Sequence, residues 1–184
     1  MTALRSPLLA AAAALSLAGC WYSSSVSGSR DGTATMRAID AANATTTPQQ
    51  AQAFISGKTW RSIESSSGQH IHYSAPDGRD FAWFRGEERI LSGEWRIETA
   101  TDRKGQAVTR FCLRYPAEAV HPIAKTSGDQ WYCRAAGSVF HWIPERANGD
   151  VLGLAGRTQA PFALTLSNLT IAQLEVRANP PANR

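Results

Sequence analysis

Two histidines one residue apart, His70 and His72, are the first residues whose types and spacing suggest chemistry. Side chains alternate along an extended chain, so both imidazoles project to one side of a strand while Ile71 and Tyr73 take the other. Neighbouring imidazoles can ligate Zn²⁺ or Cu²⁺, but such a site needs a third or fourth ligand, for which His121, His141 and Asp80 are the candidates. Nothing in the spacing demands it. The expectation is therefore a solvent-facing His-x-His pair, with no metal and no cofactor. Two acidic pairs, Glu87-Glu88 and Glu94/Glu98, have the residue types for the divided acid and base roles of a glycosidase. The first follows Gly86 in an expected turn, and the second shares a polar strand face with Arg96, so a solvated surface accounts for both. The chain contains no G-x-S-x-G elbow, phosphate-binding glycine loop, H-E-x-x-H motif or dinucleotide fingerprint. The well-marked enzyme classes are excluded, and no catalytic residue is assigned.

The aromatic residues Trp60, Phe81, Trp83, Phe84, Trp95, Trp131, Tyr132, Phe140 and Trp142 are the remaining signal. Small β-barrels often enclose one apolar ligand, and Trp83, Trp95 and Trp131 are the candidate ligand-binding residues. A filled core with peripheral tryptophans is the competing expectation. The formal net charge is +4, but the cations are scattered, so nucleic-acid binding is not expected. A mildly basic surface suits anionic lipid or polysaccharide equally well.

These residues need elements to position them. Thr47 is placed to cap a short helix, Pro48 suits its first position and Gly57 its end, with Ala51, Phe54 and Ile55 facing inward. The period then changes to alternation. Leu91, Gly93, Trp95 and Ile97 oppose Ser92, Glu94, Arg96 and Glu98, the pattern of a half-buried strand. Similar segments are expected at 58–64, 69–75, 80–85, 107–115, 129–136 and 138–143, separated by turn signals such as Pro76-Asp77-Gly78 and Asn148-Gly149. Phe81 and Trp83 fall on one side of their strand and Phe84 on the other. The segment 162–176, with Leu166, Leu169 and Leu174, suits a strand or a helix. The fold class is mainly β, a single antiparallel β-barrel or sandwich with a short N-terminal helix.

The chain begins with one basic residue, Arg5, and an apolar run from Leu8 to Leu15, too short to span a bilayer and suited to a secretory signal. It ends in Leu17-Ala18-Gly19-Cys20, which resembles the lipobox of bacterial lipoproteins. The resemblance implies cleavage before Cys20 and lipidation of its thiol, with anchoring to the bilayer through acyl chains. An aspartate after the cysteine usually retains such a protein in the inner membrane; Trp21 stands there, which implies the outer membrane of a Gram-negative cell. With Cys20 used by lipid, Cys112 and Cys133 remain as a pair in a compartment where disulfides persist. The expected organisation is a signal over 1–19, a lipidated flexible tether over 20–47 with at most a brief helix over 36–42, a β domain over 48–177 and a frayed tail over 178–184.

The pieces Gly57-Lys58-Thr59-Trp60, Pro76-Asp77-Gly78, Gly93-Glu94-Trp95, Phe111-Cys112 and Trp131-Tyr132-Cys133 resemble a family of small exported proteobacterial proteins of unknown function with a lipocalin-like β fold. That resemblance covers residues 53–143 and implies a fold and a compartment, not an activity. The functional expectation is a non-enzymatic envelope lipoprotein that binds a small apolar ligand or another envelope component. The alternative is a hydrolase or lyase acting on cell-wall polymer through His70, His72 and Glu94.

Overall fold

Side-chain capping fixes where the helix before the sheet starts. The computed structural model describes residues 32–64, 68–119, 127–165 and 168–180. The Thr47 hydroxyl accepts from Gln50 N, the Gln50 side chain accepts from Thr47 N, and proline occupies the first turn of helix α2 (Pro48–Ile55). This reciprocal cap satisfies two donors that the helix start otherwise leaves orphaned. Ala51 and Ile55 are fully buried, and Phe54 stacks on Phe140 at 4.2 Å, as the inward face requires. Ahead of it, α1 (Gly32–Thr45) is a 14-residue helix, so an ordered element occupies much of the stretch expected as tether. Cys20 and the signal lie outside the described residues.

Six strands follow as an antiparallel meander: β1 (Lys58–Glu64), β2 (Gly68–Ser74), β3 (Arg79–Phe84), β4 (Leu91–Thr101), β5 (Ala107–Arg114) and β6 (Tyr132–Ala135). The seventh, β7 (Glu145–Asn148), returns to pair with β1, giving the order β6-β5-β4-β3-β2-β1-β7. The sheet curls into a half-barrel. Between β6 and β7 the chain forms helix α3 (Ala136–His141) and so passes from one sheet edge to the other. This corrects the strand expected at 138–143. Val139, Phe140 and Trp142 have strand character, but tertiary packing overrides it. A Cβ at Gly137 would lie 2.4 Å from the Ala42 carbonyl carbon, so only glycine lets α1 lie this close, and Asn43 clamps the contact by accepting from Ser138 N at 2.7 Å.

Both faces of the sheet are covered. Concave-face residues Trp60, Ala82, Phe84, Trp95, Phe111, Leu113 and Tyr115 form one core with Ala51, Ile55 and Ala136. On the convex face Ile71, Phe81 and Trp83 pack with Leu152, Leu154, Leu164 and Leu174. Leu174 belongs to helix α4 (Ile171–Ala178), capped reciprocally by Thr170 and Gln173, so the end of the 162–176 segment is helical. Double coverage explains why β3 is buried from Asp80 through Phe84 without alternation.

Cys112 and Cys133 sit directly opposite one another on β5 and β6 and are bridged. With a sequence separation of 21 residues, the bridge restricts the unfolded chain by about 3 kcal/mol in the chain-entropy view. The Cys112→Ala/Cys133→Ala variant is expected to lose about that much in urea unfolding, and reductant should then have no further effect on it. Equal stability of the variant and the oxidised protein would count against the bridge as a stabilising element.

Candidate functional site

Pairing of β2 with β3 places Ser74 opposite Asp80 and His72 opposite Ala82, so the side chains of His70, His72, Ser74 and Asp80 share the concave face. There His72, Ser74 and Asp80 form one buried polar network. Asp80 is fully buried and His72 is 2 % exposed. His72 Nδ1 lies 2.8 Å from Asp80 Oδ2, Ser74 Oγ donates to Asp80 Oδ1 at 2.7 Å, and Tyr115 OH donates to Oδ2 at 2.7 Å. Trp60 Nε1 donates to Ser74 Oγ at 2.9 Å, which leaves the serine's own proton for the carboxylate. Asp80 accepts at both oxygens, and His72 Nδ1 therefore faces it as a donor.

The imidazole is fixed from the sides as well. Trp60 stacks on it face to face at 3.9 Å with an interplanar angle of 1°, and Phe84 meets it edge-on at 5.4 Å. With Nδ1 used by Asp80, the other edge of the ring carries Nε2. It makes no hydrogen bond among the described residues, and the ring borders a cavity of about 40 Å³ lined by Trp60, Ser62, His70, Phe84, Phe111, Leu113, Tyr132, Arg134 and Val139.

No family model, curated protein or solved structure matches this chain. The reading of the site therefore rests on its own chemistry. An imidazole with Nδ1–H tied to a carboxylate presents Nε2 to whatever enters the cavity, as an acceptor when neutral and as a donor when charged.

Tyr115 reaches Asp80 because of a glycine. Tyr115 follows β5, Asp80 is on β3, and β4 runs between them with Gly93 paired to Asp80. A Cβ at Gly93 would fall 2.4 Å from Tyr115 Cδ1 and 2.3 Å from Arg114 O, so the phenol crosses β4 where no side chain stands. Burial first, then the Asp80 charge and the hydrogen bond to it, hold the Tyr115 phenol well above its usual value. The folded state thus keeps this proton at pH values where the unfolded chain releases it. The corresponding stability is present below about pH 10 and is lost as pH rises beyond it. In an alkaline absorbance titration, Tyr115 phenolate should appear only together with loss of native circular dichroism, and Tyr115→Phe should abolish that late step. Ionisation of all tyrosines in the still-folded protein would refute this.

The candidate residues read from the sequence separate in space, and several expectations need correcting. His70 and His72 do project together, but both are buried, each 2 % exposed, rather than solvent-facing. Trp83 is on the convex face, edge-on to Phe162 at 4.8 Å. Trp95 is in the concave core with its indole donating to Ala75 O, and it does not border the cavity. Trp131 lies between the Arg96 and Arg114 guanidiniums at 4.1 and 4.7 Å. The three tryptophans thus do not form one site. Glu94 pairs with Arg114 at 2.7 Å and Glu98 with Arg96 at 2.8 Å on the face of β4 opposite Trp95, so Glu94 cannot act with His70 and His72. Glu87 and Glu88 are exposed beside a turn, as expected.

Asp80 is beside His72, but as a hydrogen-bond partner. His141 is exposed at the end of α3, and His121 lies outside the described residues. Among the described residues, the only trio of His, Cys, Asp and Glu close enough to hold an ion is Glu98, Cys112 and Cys133, whose sulfurs are spent in the disulfide. Ser74 and Tyr115 join the site without having been candidates. The Pro76-Asp77-Gly78 turn carries the signal for Ser74, because it sets the register that puts Ser74 opposite Asp80.

Proposed function

We propose that this protein is an envelope lipoprotein, anchored through Cys20 to the outer membrane, whose half-barrel binds a small and mainly apolar molecule in the concave cavity. The observation that carries the binding reading is the His72 ring, oriented through Nδ1 by Asp80 and bordering a space walled by Trp60, Phe84, Phe111, Leu113 and Val139. Aromatic walls with few convergent polar groups are the ordinary make-up of a small-molecule site. The anchor rests on the lipobox resemblance, and no helix among the described residues is long and apolar enough to cross a membrane. No carboxylate is among the described side chains lining the cavity, which favours binding over glycosidase chemistry.

Native mass spectrometry of protein extracted in mild detergent from its own cells tests both halves. The expected spectrum shows an acyl mass on Cys20, two hydrogens lost to the Cys112–Cys133 bridge and a retained ligand mass. Val139→Trp, which fills the cavity, should remove the ligand mass alone. A chain that keeps residues 1–19 and carries no acyl group would overturn the anchor. Retention of the same ligand by Val139→Trp would overturn the site.

A further inference from the structure

We propose that reduction of the Cys112–Cys133 bridge opens a site for one thiophilic divalent cation, Zn²⁺ by its chemistry, held by the two thiolates and the Glu98 carboxylate. Both sulfurs and a carboxylate oxygen of Glu98 lie within 4.8 Å of one another. A tetrahedral zinc site with bonds of about 2.0–2.3 Å sets its ligand atoms roughly 3.5–4 Å apart, so modest rotations of three side chains bring them to a common centre once the bridge is open. Register accounts for the meeting. Cys112 stands opposite Cys133 on one side and Arg96 on the other, and Glu98 follows Arg96 by two residues on the same strand, hence on the same face. That face is the outer one, away from the cavity. The C-terminal cover packs on β2 and β3 instead, and the Glu98 side chain is 28 % exposed, which gives a cation a way in from solvent.

The local charge changes with the redox state. In the oxidised protein Glu98 meets two guanidiniums, Arg96 at 2.8 Å and Arg110 at 3.7 Å, while Arg114 is paired with Glu94, and this positive excess repels a cation. Reduction adds two sulfurs beside guanidiniums that favour the thiolate, so that three anions outweigh two cations and a divalent ion offsets the excess. Sulfur ligands select zinc over the hard cations calcium and magnesium, and a water takes the fourth position. The reductant is a dithiol, and Cys133 is the sulfur it attacks, because Cys133 is partly exposed on the edge strand β6 whereas Cys112 is fully buried. Its first thiolate attacks Cys133 Sγ, the S–S bond breaks and the electron pair leaves on Cys112 Sγ. Its second thiol then displaces Cys133 from the mixed disulfide, and the reductant departs as its own disulfide. Two electrons and two protons have passed to the chain, and the two protons are released when the cation takes both sulfurs as thiolates.

Titration of the intact protein with Co²⁺ provides the test, because thiolate ligation gives a sulfur-to-cobalt charge-transfer band and tetrahedral geometry a strong visible absorption. Protein reduced with a phosphine, its folding followed by circular dichroism, should develop both features stoichiometrically and lose them to Zn²⁺. The oxidised protein should show neither. Cys112→Ser/Cys133→Ser, which keeps Cys20, should also show neither, and Glu98→Gln, which keeps the side chain's size, should weaken cobalt binding about tenfold or more while the charge-transfer band persists. No charge-transfer band from the reduced chain would overturn the site. If reduction alone unfolds the protein, refolding by Zn²⁺ supports the site, and a chain that stays unfolded with Zn²⁺ counts against it. A band that survives in the double serine variant would assign the metal to Cys20 instead, and unchanged affinity in Glu98→Gln would overturn the carboxylate as the third ligand.

Discussion

Asp80→Ala is expected to destabilise the protein by about 3–5 kcal/mol, the range for removing one member of a buried charged network, and to lower Tm by on the order of 10 °C. Three donors converge on this carboxylate at 2.7–2.8 Å. Its removal takes the carboxylate acceptor away from Ser74, Tyr115 and the His72 Nδ1–H, all of them buried where water does not replace it cheaply. Asp80→Asn separates size from charge. The amide fills the same volume but offers one acceptor oxygen in place of two and turns an NH₂ towards a donor, so it should recover only part of the loss. The effect on the site exceeds the effect on the fold. Once Asp80 no longer fixes Nδ1 as the protonated nitrogen, the His72 ring can exchange tautomers, and nitrogen NMR of the imidazole should show a mixture in place of one form. A stability change within about 0.5 kcal/mol, the range of an ordinary surface substitution, would show that Asp80 does not anchor the network.

The half-barrel is legible in the sequence where one side of a strand meets water. β4 alternates cleanly because its outer face carries Ser92, Glu94, Arg96 and Glu98 in solvent, with ion pairs to Arg110 and Arg114. Alternation alone cannot say that His70 and His72 are buried. It gives the side on which a residue falls, and both sides of β2 are packed, one under α2 and α3 and the other under α4 and the 152–164 segment. Trp83 illustrates the same limit. It pairs with Ile71, not with a histidine, so register assigns it to the convex core, and register follows from a turn whose geometry the aromatic pattern ignores. Residues 138–143 read as strand because Val139, Phe140 and Trp142 outweigh the one informative residue before them, Gly137. Tyr115 is out of reach of any local rule, since its partner is two strands away.

Gly93→Ala is the substitution that tests how fold and site are joined, and it is expected to cost about 3 kcal/mol, the upper part of the usual range for overpacking. The added methyl would stand 2.3 Å from Arg114 O and 2.4 and 2.8 Å from two Tyr115 ring carbons. The ring can swing away, whereas the carbonyl belongs to a ladder that includes Glu94↔Arg114, so relief requires β4 and β5 to separate locally. Either movement withdraws the phenol from Asp80. Gly93→Ala should therefore reproduce the Tyr115→Phe signature, loss of the late phenolate step, through a residue that carries no functional group. A double-mutant cycle apportions the cost. If the ring is the main obstacle, Tyr115→Ala combined with Gly93→Ala loses less than the two single changes summed, with a coupling of about 1 kcal/mol or more. If the carbonyl dominates, the losses add, and the late phenolate step is still lost because the strands separate. Additivity together with an intact phenolate step would refute the role of Gly93 as the opening through which Tyr115 reaches the His72 network.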